Sequence, residues 1–189
     1  TLDLMIHDLE LVLSLVPSPV ERVSAFGVAQ MGGHEDSSYA TLLFANGSVA
    51  RLKASRVEQR AERRMTIQAA NKTVQIDFAT RSARMICPKQ KILAGAYSPS
   101  SVTLAEMSER VPTFMTDEYE TIELVHDPID ALELEMQNFT SSILRGERSV
   151  VPGESAAEAV VVAEEIIHDL EARACRAGTS QTRTLKIAG

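Results

Sequence analysis

Near the start of the chain, in TLDLMIHDLELVLSLV, Asp3, His7, Glu10 and Ser14 are spaced four, three and four residues apart. On an α-helix that spacing stacks all four on one side. A carboxylate one turn before a histidine can accept its ring N–H, fix the tautomer and support the imidazolium. A general base for a hydroxyl group needs this arrangement, with Asp3 orienting the ring and His7 taking the proton. Spacing alone favours a plainer account, the solvated polar side of an ordinary amphipathic helix.

The elements that would hold these residues can be read from periodicity. Leu2, Met5, Ile6, Leu9, Val12, Leu13 and Val16 recur at helical intervals, which predicts a helix over 2–16 ended by Pro17 and Pro19. Strand patterns follow at 20–31, 39–45, 48–58, 64–70, 74–78, 81–88 and 119–125. GGHEDS is a polar turn, and Asn46-Gly47 is a hairpin signal. Residues 89–118 have no sustained period and read as a long excursion, with a short helical turn near 104–109. Pro128 and Gly146 bracket a helix over 129–145, and a longer one covers 154–177. The tail 179–189 reads as loose. The expected fold is α+β: an open antiparallel sheet of about six strands with helices on one face. The other face would be an oligomer interface. Residues 1–178 would form one domain.

Composition narrows the classes. The chain has 189 residues, 44% hydrophobic and 24% charged, enough for a core. A formal net charge of −7 disfavours a nucleic-acid partner. No apolar run reaches the roughly 20 residues that span a bilayer. Cys87 and Cys175 have no metal-ligand or redox spacing and read as free thiols in a reducing cytoplasm. His34, His126 and His168 form no ligand set, so no metal is expected. The triplets starting at Asn46, Asn71 and Asn138 fit N-glycosylation only by chance, and the first two suit turns.

The opening Asp3-Leu4-Met5-Ile6-His7, followed by an apolar helix and an antiparallel sheet, resembles the C-terminal domain of the Gfo/Idh/MocA oxidoreductases. DLMIHDLELVLSLV looks like the branch acting on UDP-N-acetylglucosamine. VVPGESAAEAVVVAEEI is similar to the family's closing P-x-x-G-x-x-A-x-x-A helix. The resemblance implies that a separate N-terminal Rossmann domain binds NAD or NADP and supplies a catalytic lysine. No G-x-G-x-x-G or E-K-P occurs here, so the chain reads as a fragment that would be inactive alone. It also implies that His7 takes the proton of a sugar or UDP-sugar hydroxyl while hydride leaves for nicotinamide. Asp3 would orient His7 or bind substrate. Glu10 stands where the family often has Asp, and would contact substrate.

Arg51, Lys53, Arg56, Arg60, Arg63 and Arg64 cluster around one predicted strand and its turn. Contact with a substrate's phosphates or with a partner subunit is the functional reading, a solvated edge the plainer one that each residue favours slightly, and Arg56 is the best functional candidate. The leading expectation is therefore the substrate-binding, catalytic-histidine domain of an NAD(P)-dependent sugar or nucleotide-sugar oxidoreductase, assembled as a homo-oligomer. A non-catalytic binding or oligomerisation module is the alternative. A third reading is the second domain of another Rossmann-linked oxidoreductase, which would not need the Asp3/His7 opening.

Overall fold

The computed structural model describes residues 2–31, 34–95, 113–125 and 130–178, with a few isolated positions between 103 and 108. These fall into two compact units, residues 1–59 with 131–189, and residues 60–130. The class is as the sequence suggested, α+β with open antiparallel sheets and helices. All seven strand patterns are strands, but they divide into ladders of three and four.

In the first unit, α1 (Leu2–Leu15) precedes β1 (Val20–Val28), β2 (Ser37–Phe44) and β3 (Val49–Ser55). α1 stops before Pro17, which has no N–H to continue it. The Pro19 carbonyl accepts the Ala45 N–H, and Ser18 Oγ accepts that of Asn46. These bonds tie the C-terminal end of α1 to the β2–β3 turn. At that turn Gly47 adopts a φ of 84°, and Asn46 Oδ1 accepts the Ser48 N–H.

Register decides which side of this sheet is covered. Val23, Ala25 and Gly27 lie beside Leu42, Ala40 and Ser38, which lie beside Ala50, Leu52 and Ala54. With period two these share one face. Against it pack Met5 and Leu9 of α1 and Val162, Ala163, Ile166 and Leu170 of α5 (Gly153–Gly178). The opposite face carries Phe26, Tyr39 and Val49, all exposed. α4 (Ala131–Arg145) ends at Gly146, whose φ is 63°, and buries none of its residues. Asn138 on α4 accepts from Ser149 Oγ and the Val150 N–H, a local structural role for that triplet.

α5 also closes the outer edge of β1. Asp169 Oδ2 accepts the Ala25 N–H at 2.7 Å, and Arg173 donates to both Asp169 and Ser24 Oγ. Gly27 lets this helix approach closely. A Cβ there would lie 2.3 Å from Glu35 Cγ and 3.1 Å from Leu170 Cδ2.

The second unit is an antiparallel meander of β4 (Arg64–Ala69), β5 (Lys72–Asp77), β6 (Ser82–Pro88) and β7 (Tyr119–Leu124). Two short helices within the predicted excursion belong to it, α2 (Gln90–Leu93) and α3 (Phe114–Glu118). Lys89 Nζ donates to the Thr116 and Asp117 carbonyls, and its N–H to that of Glu118, joining the two. The turn expected near 104–109 and the tail 179–189 fall largely or wholly outside the described residues.

Candidate functional site

α1 presents its polar stripe because its other side is committed to the core. Met5 and Leu9 are 1% and 0% accessible, so residues half a turn away face outward. Asp3 and His7 are exposed, one turn apart, and Glu10 is half-buried in the same stripe. Among the described residues no hydrogen bond joins Asp3 to His7. Ser14 Oγ donates to the Leu11 carbonyl at 2.8 Å, which uses it inside the helix. Leu4 and Leu15 stay exposed beside the stripe, so it has an apolar margin. An open imidazole with a carboxylate neighbour can accept a proton from a hydroxyl placed over it.

Arg56, the best functional candidate of the basic cluster, follows β3 and holds a partner within the chain. Its Nε donates to Asp36 Oδ1 at 2.6 Å. Its backbone N–H donates to the Asp36 carbonyl. Asp36 Oδ2 accepts the Gln30 and Met31 N–H groups, each at 2.7 Å. The Asp36 side chain is 0% accessible, while that of Arg56 is 46% exposed. The Met31 N–H, with the Arg56 and Gln30 donors, holds the Asp36 carboxyl below the usual carboxylate range against the opposing effect of its burial. This cluster also trims the predicted strands. β1 stops at Val28, not Met31, because Gln30 and Met31 serve Asp36; β3 stops at Ser55 because Arg56 does.

The sequence missed Asp36. It sat inside a polar turn, and nothing in its spacing points to an arginine twenty positions later. The rest of the basic cluster is divided between the units. Lys53 pairs with Glu58 and lies 5.8 Å from the Tyr39 ring centre. Arg63 stacks 4.8 Å from the Phe78 ring, and Arg64 donates to Asp77 at 2.9 Å. On the second unit's sheet, Arg64, Thr66, Gln75, Asp77 and Arg84 line an open groove of about 610 Å³. Within it Arg64 is paired with Asp77 and Arg84 with Gln75.

Among the described residues there is no dinucleotide fold. Both described sheets are antiparallel, with no strand–glycine turn–helix crossover for a pyrophosphate. Among the described residues no group of three or more His, Cys, Asp or Glu could hold a metal, and no helix is long and apolar enough to cross a membrane. His34 and His168 are exposed, and His126 lies outside the described residues.

Residues 1–75 match the GFO/IDH/MocA C-terminal domain. Over 77 residues the chain is 42% identical to UDP-N-acetylglucosamine 3-dehydrogenase of Acidithiobacillus ferrooxidans, covering 41% of this chain and 25% of that protein. A solved structure of that enzyme superposes with a TM-score of 0.71 at 25% identity, over 89% of this chain and 46% of its own. The WlbA dehydrogenase of Bordetella pertussis, solved with NADH and UDP-GlcNAcA, superposes with a TM-score of 0.58 at 15% identity, over 88% and 41%. The chain thus spans less than half the length of these relatives. The family match over its first 75 residues includes the Asp3–His7 opening.

Proposed function

We propose that this chain is the substrate-binding, proton-handling domain of an NAD(P)-dependent oxidoreductase that oxidises a sugar or nucleotide-sugar hydroxyl. One observation carries the reading. His7 and Asp3 stand exposed on a helix whose opposite side is locked into the core, within the residues that match the family's domain. When bound, the nicotinamide accepts the hydride. His7 takes the hydroxyl proton at an imidazole nitrogen, Asp3 favours the resulting imidazolium, and Glu10 lies one turn further to contact the sugar. The half-buried free thiol of Cys87 suits a reducing cytoplasm.

A second copy of the chain is the proposed cover for the outward face of β1–β3, where Phe26 and Tyr39 stack with ring centres 6.4 Å apart. The catalytic reading is tested by nicotinamide absorbance in the intact protein over a panel of UDP-sugars, free sugars and inositols. His7→Ala should lower kcat by roughly 10²–10⁴-fold on the turned-over class. Equal rates for His7→Ala and wild type would instead leave the helix as a solvated surface of a non-catalytic module.

A further inference from the structure

The Asp36–Arg56 cluster does more than close a turn. Arg56 is gripped twice, at its backbone N–H and at Nε, and both bonds go to one residue with no solvent access to its side chain. A guanidinium held by Nε keeps its other edge, the Nη1–Nη2 fork, outside that bond. That fork has the geometry of a bidentate phosphate or carboxylate ligand. Among the described residues no second partner takes it, and half of the side chain is exposed. An arginine meant only to neutralise Asp36 would be expected to offer that fork to the carboxylate. Here Asp36 divides its oxygens, one to Nε and one to two backbone amides.

Chain direction places this fork relative to α1. The C-terminal end of α1 is tied to the β2–β3 turn through Ser18 and Pro19. Fourteen helical residues and the seven of β3, against which α1 packs, have similar lengths, each about 20 Å. The first turn of α1 therefore reaches toward the end of the sheet where β3 finishes at Ser55. Asp3 and His7 lie toward the same end as Arg56.

We infer that Asp36 is a positioning residue that aims Arg56 as an anchor for the phosphates of a nucleotide-linked sugar. This rests on the oxidoreductase reading above and narrows its substrate class from sugars in general to phosphate-bearing ones. The buried Asp36 carboxylate already offsets the charge of Arg56. The anchor therefore acts through fork geometry rather than through a basic field, and lysine at 56 cannot replace it.

The test uses the intact protein with Arg56→Gln, Arg56→Lys, Asp36→Asn and the Asp36→Asn/Arg56→Gln pair. Calorimetric titration with UDP and with inorganic pyrophosphate reads binding without turnover. Thermal melts fix a temperature at which every variant is folded. Both Arg56 variants and Asp36→Asn should weaken UDP binding by about ten- to a hundredfold, the range for a lost charge-assisted bond. KM for the UDP-sugar should rise in step with kcat nearly unchanged, and the pair should be no worse than Arg56→Gln alone. If Asp36→Asn lowers only the melting temperature and leaves UDP binding and KM at wild-type values, the cluster is purely structural and the inference fails. Full activity of Arg56→Lys also overturns it. Loss of UDP binding in Arg56→Gln beside an indifferent His7→Ala would uphold the anchor while sinking the catalytic reading.

Discussion

At Asp36 one carboxylate collects two backbone amides and a guanidinium, and its pH behaviour follows. Its folded carboxyl lies below the ordinary 3.8, first through the Met31 N–H. A lowered folded value means the ionised form is favoured by folding. That stabilisation is complete above the unfolded value and is lost as pH falls through the folded one. Asp77, lowered by Arg64 and then by the Thr80 amide, acts in the same sense. Melting temperature should therefore fall steeply with acid below about pH 4, and Asp36→Asn should flatten that limb while lowering the plateau near neutrality. Thermal melts from about pH 6 to about pH 2 check it; parallel acid limbs for variant and wild type would contradict it. At this scale the sequence was readable where placement follows local spacing. Asp3, His7 and Glu10 form their stripe on any helix covering them. Asp36 was not readable, because only the register of β2 on β3 brings Arg56 to it.

Among elements, the tightest requirement is the crossing of α5 over β1. Gly27→Ala places a methyl against Glu35 and Leu170, and should destabilise by about 1–3 kcal/mol, as overpacking does. Gly27→Ser should be no milder. Leu9→Ala removes a fully buried side chain from the α1 contact and should cost about 2–5 kcal/mol, read by chemical denaturation. Asp169→Ala strips the partner from the Ala25 amide, with an expected loss of about 1–3 kcal/mol. The long elements were legible because period-two and helical patterns reflect burial on one side, and Pro17 and Gly146 mark real stops. The split into two ladders was not. Residues 56–63 continue the polar, charged character of their neighbours, and their failure to pair depends on partners far away in the chain. α2 and α3 escaped for a related reason: four- and five-residue helices are held by Lys89 across the gap, not by a period of their own.

Across the molecule, the outward face of β1–β3 leaves Phe26, Tyr39 and Val49 exposed. Phe26→Glu should weaken self-association in sedimentation velocity without changing the monomer's melting behaviour, since Phe26 lies 57% exposed and outside the core. A sedimentation profile independent of concentration in the wild type would refute the interface. The α+β class could be read from the chain because local patterns report it. The division into a unit built from both ends of the described chain and another from its middle could not, because pairing of α1 with α5 spans nearly the whole length. That same span has a consequence during synthesis. Asp169 comes 144 residues after the Ala25 amide it caps. At ribosomal rates of about 5–20 residues per second, β1 waits roughly seven to thirty seconds for its lid. For that interval a nascent strand edge and the apolar bed of Ala25, Ala40 and Leu42 stand open to any neighbouring chain. Truncation before α5 should thus turn the product toward inclusion bodies, and a holdase chaperone is predicted to bind the ribosome-tethered chain until Leu170 emerges.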